Sequence, residues 1–343
     1  MNVNNLLRNN IKNLQPYSSA RDEYSGEAMV FLDANENPFN EPYNRYPDPL
    51  QRELKKNIAL LKDVMPGQIF LGNGSDEPID LAIRAFCEPG ENNVVSIDPT
   101  YGMYQVAAGI NNVEVKKVSL TEEFELDAEK LLNEVNDNTK LVFLCSPNNP
   151  TGNCLSKEAV LEVVQNFQGL VVLDEAYIDF APGKSLLSQL NDFPNLVILQ
   201  TFSKAWGMAG IRLGMAFAAT EIISVLNKIK YPYNLNILTQ QKALELIENR
   251  GKVEKWVKLL IAEREKMKKL LSDFPFVVKI FPSDANFILV KMHDARGIYD
   301  YLKENGVIVR DRSKVHLCED SLRITIGSSD ENEALLTALK ELI

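Results

Sequence analysis

Between about residue 70 and residue 220, short apolar runs of strand length alternate with longer segments of helical periodicity. This alternation is typical of βα units built around a parallel sheet. Several runs are apolar at consecutive positions, as strands must be when helices cover both faces of the sheet. We therefore expect a large α/β domain with a mostly parallel central sheet. The predicted strands are residues 94–98, 113–120, 141–146, 170–174, 196–201 and 214–218.

The pattern changes towards the C-terminus. Residues 238–271 have the periodicity of one or two long amphipathic helices, with Gly251 as the expected break. Shorter elements after Pro275 predict a smaller α+β domain. We expect an N-terminal arm over residues 1–50, a large domain over 51–240, and a linking helix with the small domain over 241–343. The elements predicted in the small domain are strands 276–281, 286–292, 307–310 and 322–327 and helices 294–305 and 331–342.

The charge and composition of the chain limit the kinds of partner that we expect it to bind. The chain has 37 Lys and Arg against 47 Asp and Glu, a net charge of −10, which argues against a nucleic-acid-binding surface. No apolar run approaches the roughly 18 residues that a membrane span needs. Residues 1–15 lack the apolar core of a signal peptide, so we expect a cytoplasmic protein. Its four cysteines and two histidines show no metal-ligand spacing, so we expect no metal site.

Polar residues follow several predicted strands, at the edge of an α/β sheet where ligands bind. Asn149 lies in a Pro-Asn-Asn-Pro-Thr-Gly turn, which alone is most simply a turn. Asp174 follows four apolar residues, so its carboxylate should be buried and should need a cation or several donors. Lys204 comes just after the next strand, and burial there would lower its pKa and make the amine nucleophilic. A solvent-facing lysine is the ordinary alternative.

A lysine that forms a Schiff base and an acidic partner for a ring nitrogen are what pyridoxal phosphate requires of a protein. The order Asn-Pro-Thr-Gly, Asp-x-x-Tyr, Ser-x-Lys and then Arg212 resembles the fold type I, aspartate-aminotransferase-like family of pyridoxal-phosphate enzymes. Further blocks resemble the histidinol-phosphate aminotransferases within it, and the resemblance extends over residues 14–327. These blocks are residues 33–38, 44–48, 72–77, 84–90 and 99–104.

The resemblance implies a role for each residue around the cofactor ring. Lys204 would form the Schiff base and then move the proton between the substrate Cα and the cofactor. Asp174 would pair with the protonated ring nitrogen. Asn149 and Tyr177 would hydrogen-bond the phenolate oxygen, and Tyr101 would stack on the ring.

The cofactor phosphate needs fixed donors. The segment 72–77 is a glycine loop that opens a helix, which would place the backbone amides of Ser75 and Asp76 at the positive end of that helix. By the resemblance, Thr201, Ser203 and Arg212 would complete the phosphate site. The same loop could belong to a dinucleotide-binding fold, but Glu77 replaces the third glycine of that motif.

Substrate anions call for guanidinium groups, which bind a carboxylate or a phosphate in a bidentate manner. Arg323 occupies the position of the family's substrate-anion arginine, and Arg310 resembles a second one; Asn149 would also face the substrate. The resemblance further implies that Tyr46 reaches the cofactor phosphate of a neighbouring subunit and that Tyr17 borders the substrate phosphate. Both roles imply a homodimer with shared active sites, to which the N-terminal arm contributes. Each tyrosine could instead be a partly buried aromatic residue.

The resemblance, together with the lack of a signal peptide pattern, thus implies a cytoplasmic, homodimeric aminotransferase of histidine biosynthesis. It would convert histidinol phosphate and 2-oxoglutarate to imidazole-acetol phosphate and glutamate. An aromatic-amino-acid aminotransferase and a threonine-phosphate decarboxylase of the same fold remain open as alternatives. A nicotinamide-dependent oxidoreductase that uses the 72–77 loop, and a binding protein of this fold without activity, are alternatives from other classes.

Overall fold

The structure is a computed structural model that describes residues 2–17, 20–23 and 30–343. These residues form one seven-stranded and one four-stranded sheet, both flanked by helices. The α/β class and the mostly parallel main sheet predicted from the sequence are confirmed. Every helix in the described part of the chain is too short or too polar to span a lipid bilayer.

The seven-stranded sheet has the order β1-β7-β6-β5-β4-β2-β3. Strands β2 to β6 pair in parallel, and β7 is antiparallel to both of its neighbours. The sequence analysis did not predict β1, because its apolar run is short and ends in a glycine. The strands are β1 (Ile69–Asn73), β2 (Asn93–Asp98), β3 (Glu114–Ser119), β4 (Thr139–Cys145), β5 (Leu170–Asp174), β6 (Leu196–Thr201) and β7 (Leu213–Phe217).

Both faces of this sheet are buried. In β4 and β5, Phe143 and Val172 belong to the apolar cluster on one face, whereas Leu144 and Leu173 belong to the cluster on the other. Successive side chains of a strand point to opposite faces, so consecutive apolar residues fill both layers. The parallel strands therefore end at one common edge, which lies between the helical layers.

The four-stranded sheet is antiparallel, with the order β10-β11-β9-β8. The prediction of a strand over residues 307–310 is wrong for most of that range, because in this segment only Arg310 and Asp311 pair with β11. Val307 and Val309 instead pack against the apolar cluster beneath this sheet. The strands are β8 (Val277–Ile280), β9 (Phe287–Met292), β10 (Arg310–Asp311) and β11 (Ser321–Thr325).

The helices largely follow the predicted periodicity. The long helical segment is broken at Asn249 rather than at Gly251, which lies in the first turn of α11. An amide in a first turn has no partner within the helix, so a glycine there costs little. The α-helices are α1 (Val3–Leu6), α2 (Asn9–Lys12), α3 (Ala20–Glu23), α4 (Arg52–Lys62), α5 (Asp76–Phe86), α6 (Met103–Ile110), α7 (Ala128–Asn133), α8 (Lys157–Asn166), α9 (Thr220–Ile229), α10 (Ile237–Glu248), α11 (Arg250–Ser272), α12 (Ala295–Glu304) and α13 (Ser329–Lys340).

The division of the chain after residues 50 and 240 stays a proposal. It is supported by the position of the seven-stranded sheet within residues 69–217 and of the four-stranded sheet within 277–325. A separate apolar cluster joins the four-stranded sheet to α11, α12 and α13.

Candidate active site

A cleft of about 870 Å³ lies at the carboxyl ends of the parallel strands and is closed on one side by the four-stranded sheet. It gathers most of the residues that the sequence predicted. Tyr17 and Tyr46 are not among its lining residues. The predicted residues that line the cleft are Ser75, Asp76, Tyr101, Asn149, Asp174, Tyr177, Thr201, Ser203, Lys204, Arg212, Arg310 and Arg323.

Asp174 ends β5 and is 2% exposed, as its apolar strand predicted. Its Oδ1 accepts a hydrogen bond from the backbone N–H of Ala176 at 3.0 Å, and its Oδ2 accepts one from the hydroxyl of Tyr104 at 2.6 Å. Burial raises the pKa of Asp174, and these donors and the charge of Lys204 oppose that rise. The carboxylate is thus held in one orientation at the base of the cleft.

Lys204 follows β6, and its side chain is exposed to the cleft. Its Nζ lies 5.4 Å from the centroid of the Tyr177 ring. Burial of the amine between the cleft walls lowers its pKa, and the nearby charge of Arg323 lowers it further. The amine is therefore easier to deprotonate than that of a lysine on the open surface.

Asn149 lies in the turn after β4 and is buried. The side chain of the preceding Asn148 fixes this turn: its Nδ2 donates to the carbonyl of Pro99 at 2.9 Å, and its Oδ1 accepts from the hydroxyl of Thr100 at 2.9 Å. The Oδ1 of Asn149 accepts from Nη1 of Arg323 at 2.5 Å. The amide of Asn149 therefore has a fixed place in the cleft lining, to which Tyr177 also belongs.

The loop before α5 forms an open cradle. Its Gly74 has φ +78°, and a Cβ there would lie 2.7 Å from Nη2 of Arg212. On the other side, a Cβ on Gly214 would lie 2.1 Å from the backbone nitrogen of Ser75, so only glycine allows β7 to approach the loop. α5 begins at Asp76, as predicted, and its positive end faces the cleft.

Two side chains complete the cradle. The Ser203 hydroxyl is buried and has no hydrogen-bond partner among the described residues. A buried polar atom without a partner is costly, so this hydroxyl is suited to a bound ligand. The Arg212 guanidinium lies 3.7 Å from Asp76, whose carboxylate also accepts a 3.1 Å hydrogen bond from the Tyr101 hydroxyl. The hydroxyl of Thr201 is already bonded to the Leu213 carbonyl and to the amide of Ser203.

Arginines line the side of the cleft formed by the four-stranded sheet. Arg310 and Arg323 are direct cross-strand partners in β10 and β11. Arg312 also lines the cleft, and neither its side chain nor that of Arg310 forms an ion pair with a carboxylate among the described residues. Burial and the charges of Arg323 and Arg310 lower the pKa of Arg312 to about 10, so it remains a cation at neutral pH. Three guanidinium groups thus converge where the sequence predicted two.

The two predicted tyrosines of the arm lie elsewhere. Tyr46 is half exposed and stacks on Tyr233, with ring centroids 4.4 Å apart. Its backbone N–H donates to Glu36, and its carbonyl accepts from Arg21 at 2.9 Å. Tyr17 is 71% exposed and directly precedes two residues outside the described part of the chain. A role for either tyrosine at a neighbouring subunit's site stays a prediction.

Sequence reasoning missed three residues that shape the cleft. These are Arg312, Asn148, which belongs to the predicted turn, and Tyr104, which ends the 99–104 block. Their positions depend on how loops cross the strand ends. The periodicity of the sequence does not indicate the path of a loop. A polar residue in a run of turn residues was the available signal for Asn148.

Comparison with known proteins shows which family this chain belongs to. The model of the family described as aminotransferase class I and II matches residues 28–339. The histidinol-phosphate aminotransferase of Parabacteroides distasonis is 58% identical over 340 residues, which cover 99% of each chain. The chain belongs to this aminotransferase family. It is an aminotransferase that uses pyridoxal phosphate.

Solved structures agree with this assignment. The histidinol-phosphate aminotransferase from Clostridium acetobutylicum superposes with a TM-score of 0.81 at 26% identity, covering 88% of this chain and 91% of that one. The enzyme from Sinorhizobium meliloti, solved in complex with pyridoxal-5'-phosphate, gives a TM-score of 0.80 at 25% identity and covers 87% and 84%.

The cleft of this aminotransferase fits that cofactor. The partnerless hydroxyl of Ser203, the positive end of α5 and the glycine cradle suit a phosphate group. The buried carboxylate of Asp174 suits a protonated ring nitrogen, and the Lys204 amine is open to the space between them. The phosphate, the ring and the carbonyl carbon of the cofactor would each meet residues of matching chemistry.

Proposed function

We propose that this aminotransferase transfers the amino group between histidinol phosphate and 2-oxoglutarate, giving imidazole-acetol phosphate and glutamate in histidine biosynthesis. The observation that carries the substrate class is the convergence of Arg310, Arg312 and Arg323 in the cleft that holds Lys204 and Asp174. Phosphate and carboxylate groups are the anions that guanidinium groups bind best.

The cofactor side of the site assigns one task to each residue. Lys204 would hold the cofactor covalently through Nζ, and Asp174 would face its ring nitrogen. Asn149 and Tyr177 would donate hydrogen bonds to its phenolate oxygen, and Tyr101 would stack on its ring. Five residues would bind its phosphate: Ser75, Asp76, Thr201, Ser203 and Arg212.

When bound, pyridoxal phosphate supplies an electron sink for the charge that develops at the substrate Cα. Once the amino group of the substrate has released Nζ, Lys204 would take the proton from that carbon and return it at the other reaction centre. This requires an uncharged amine, which the lowered pKa of Lys204 favours. Burial raises the pKa of the Tyr177 hydroxyl, so this group stays protonated and acts as a hydrogen-bond donor.

The part of the cleft that binds the substrate must accept two different anions, one in each half-reaction. The α-carboxylate of glutamate carries one negative charge, whereas the phosphate of histidinol phosphate carries nearly two at neutral pH. Arg323 would bind either anion, because it is the most firmly held of the three arginines. Arg310 and Arg312 would supply the additional positive charge that the phosphate needs. This arrangement explains how one site could serve both half-reactions.

The assembly and the location are proposals as well. Exposed apolar residues of the arm support a homodimer with shared sites: Leu32 is 92% exposed and Phe39 is 76% exposed. Tyr46 would then reach the cofactor phosphate of the neighbouring subunit, and Tyr17 would border the substrate phosphate. We also propose that the enzyme acts in the cytoplasm.

Absorbance of the purified enzyme tests the proposal directly. The bound cofactor should give a visible band, and histidinol phosphate alone, without a keto acid, should convert that band to the near-ultraviolet band of the aminated cofactor. Adding 2-oxoglutarate should restore the visible band. A protein that stays colourless with pyridoxal phosphate would contradict the cofactor site.

The same experiment separates the alternatives. If only an aromatic amino acid converts the band, the proposed substrate is wrong, whereas the proposed cofactor site remains supported. If threonine phosphate releases carbon dioxide, the enzyme is a decarboxylase of this fold. Both outcomes are measured on one preparation, so each rejects a specific part of the proposal.

A further inference from the structure

Tyr104 is a buried titratable residue at the base of the candidate active site. It lies in the first turn of α6 and is 1% exposed. Its hydroxyl donates to Oδ2 of Asp174 at 2.6 Å, across 70 positions of sequence. Burial and the charge of Asp174 raise the pKa of Tyr104 well above its ordinary value, so the hydroxyl keeps its proton and acts as a donor.

Two aromatic rings pack against the Tyr104 ring. The Tyr104 ring stacks on Phe143 of β4, with centroids 4.8 Å apart and an angle of 11° between the planes. It also meets the edge of the Tyr101 ring, at 5.6 Å and 86°. Tyr104 therefore contacts both the carboxylate proposed to face the cofactor nitrogen and the ring proposed to stack on the cofactor.

The hydrogen bond has a definite electrostatic effect. Burial favours the neutral form of Asp174, whereas the Tyr104 hydroxyl favours the ionised form by donating to it. Without this donor, Asp174 would be a stronger base and would compete for the proton of any group that it faces. The only other donor to this carboxylate among the described residues is the backbone N–H of Ala176.

We propose that Tyr104 is a positioning residue that keeps Asp174 ionised, so that the cofactor ring nitrogen rather than the carboxyl group carries the shared proton. The proposal rests on the function proposed above for Asp174. Tyr104 does not touch the substrate. It acts through Asp174, and its effect is on the ring nitrogen.

The test is ¹⁵N nuclear magnetic resonance of the loaded enzyme, prepared with pyridoxal phosphate labelled at the ring nitrogen. In the native enzyme the resonance should be that of a protonated nitrogen. In Tyr104→Phe, which keeps the ring and loses the hydroxyl, it should move towards the unprotonated position. We expect kcat to fall about tenfold, which corresponds to a change of one unit in the pKa of Asp174.

Two further variants keep the result interpretable. Phe143→Leu disturbs the stacking and leaves the hydroxyl, so its resonance should stay at the native position. In Asp174→Asn the resonance should move by itself, and adding Tyr104→Phe should move it no further. This second comparison shows whether the effect of Tyr104 passes through Asp174.

The results that would contradict the role of Tyr104 differ from those that would contradict the role of Asp174. An unchanged resonance in Tyr104→Phe, or an equal change in Phe143→Leu, would overturn the role of Tyr104. An unchanged resonance in Asp174→Asn would instead overturn the proposed role of Asp174 itself.

Discussion

Arg323 in β11 and Asn149 after β4 are joined by a 2.5 Å hydrogen bond across 174 positions of sequence. This bond connects the four-stranded sheet to the edge of the seven-stranded sheet, directly over the cleft. The Cζ of Arg323 also lies 5.2 Å from the centroid of the Phe287 ring, and its Nε has no hydrogen-bond partner among the described residues. Arg323 is therefore held in place, and its Nε–H can still donate a hydrogen bond to a ligand.

Replacing this guanidinium should affect the substrate and not the cofactor. Arg323→Lys keeps the charge but loses the planar pair of donors. A charge-assisted hydrogen bond is worth about 1.5–3 kcal/mol, so kcat/KM for histidinol phosphate should fall about 10- to 100-fold. Steady-state kinetics measures this fall, and the absorbance of the purified variant should show normal cofactor content.

The matched control is Arg296→Lys, at an exposed arginine paired with Asp300 and Asp311. It should leave kcat/KM unchanged. Equal effects of the two substitutions would contradict a substrate role for Arg323.

Gly74 should be required for retention of the cofactor. Both Gly74 and Gly183 have positive φ, at +78° and +77°, so alanine at either position costs about 1–2 kcal/mol in backbone conformation. Only at Gly74 does the new Cβ meet Arg212; at Gly183 nothing lies within 4 Å. Gly74→Ala should release pyridoxal phosphate on dialysis at least about tenfold faster than the native enzyme, given the strength of one displaced charged contact.

Gly183→Ala should lower the melting temperature by a similar amount and retain the cofactor. If the two variants lose cofactor at the same rate, the cradle formed by Gly74 and Arg212 does not hold the phosphate.

Lys55 should make stability depend on pH. Its side chain is 7% exposed, and burial, together with the charge of Lys230, lowers the pKa of Lys55 to about 8. The folded state therefore disfavours the charged form: the penalty is complete below pH 8 and disappears as the pH rises towards the ordinary lysine value near 10.5. Lys55→Met should raise the free energy of unfolding at pH 7 by about 2–3 kcal/mol.

Denaturant unfolding at several pH values measures this gain, which should shrink steadily between pH 8 and about pH 10.5. Lys56→Met, at the exposed neighbour, should show no such trend. A gain from Lys55→Met that is independent of pH would mean that the charge of Lys55 carries no penalty.

The strand ends were the predictable part of this molecule. Asp174 and Lys204 follow consecutive apolar runs, and parallel strands bring their carboxyl ends to one edge, so sequence alone indicated that these residues meet. The start of α5 at Asp76 was equally visible, because a glycine loop followed by acidic residues is a helix start.

Residues whose place depends on loop paths were not predictable. β10 contains two residues, too few for a period of two to appear, so the pairing of Arg310 with Arg323 had no local signal. The contact of Tyr104 with Asp174 depends on where α6 lies relative to the end of β5. Such contacts are set by packing between distant elements, and a pattern of neighbouring residues does not contain them.

Shared active sites can be tested by mixing two defective subunits. In the proposed homodimer, Lys204 belongs to one subunit and Tyr46 reaches that site from the other. Lys204→Ala and Tyr46→Ala homodimers should each have low activity. A mixed dimer would contain one doubly defective site and one intact site. After random mixing, half of the dimers are mixed, so about a quarter of the native activity should return.

The control pairs Lys204→Ala with Arg212→Ala. Both residues line the same cleft of one chain, so every site in a mixed dimer keeps one defect and activity should stay low. Co-expression with two affinity tags isolates the mixed dimers, and for Lys204→Ala with Tyr46→Ala these alone should have about half of the native activity. Recovery in both combinations would show exchange or reactivation unrelated to Tyr46, and recovery in neither would confine each active site to a single chain.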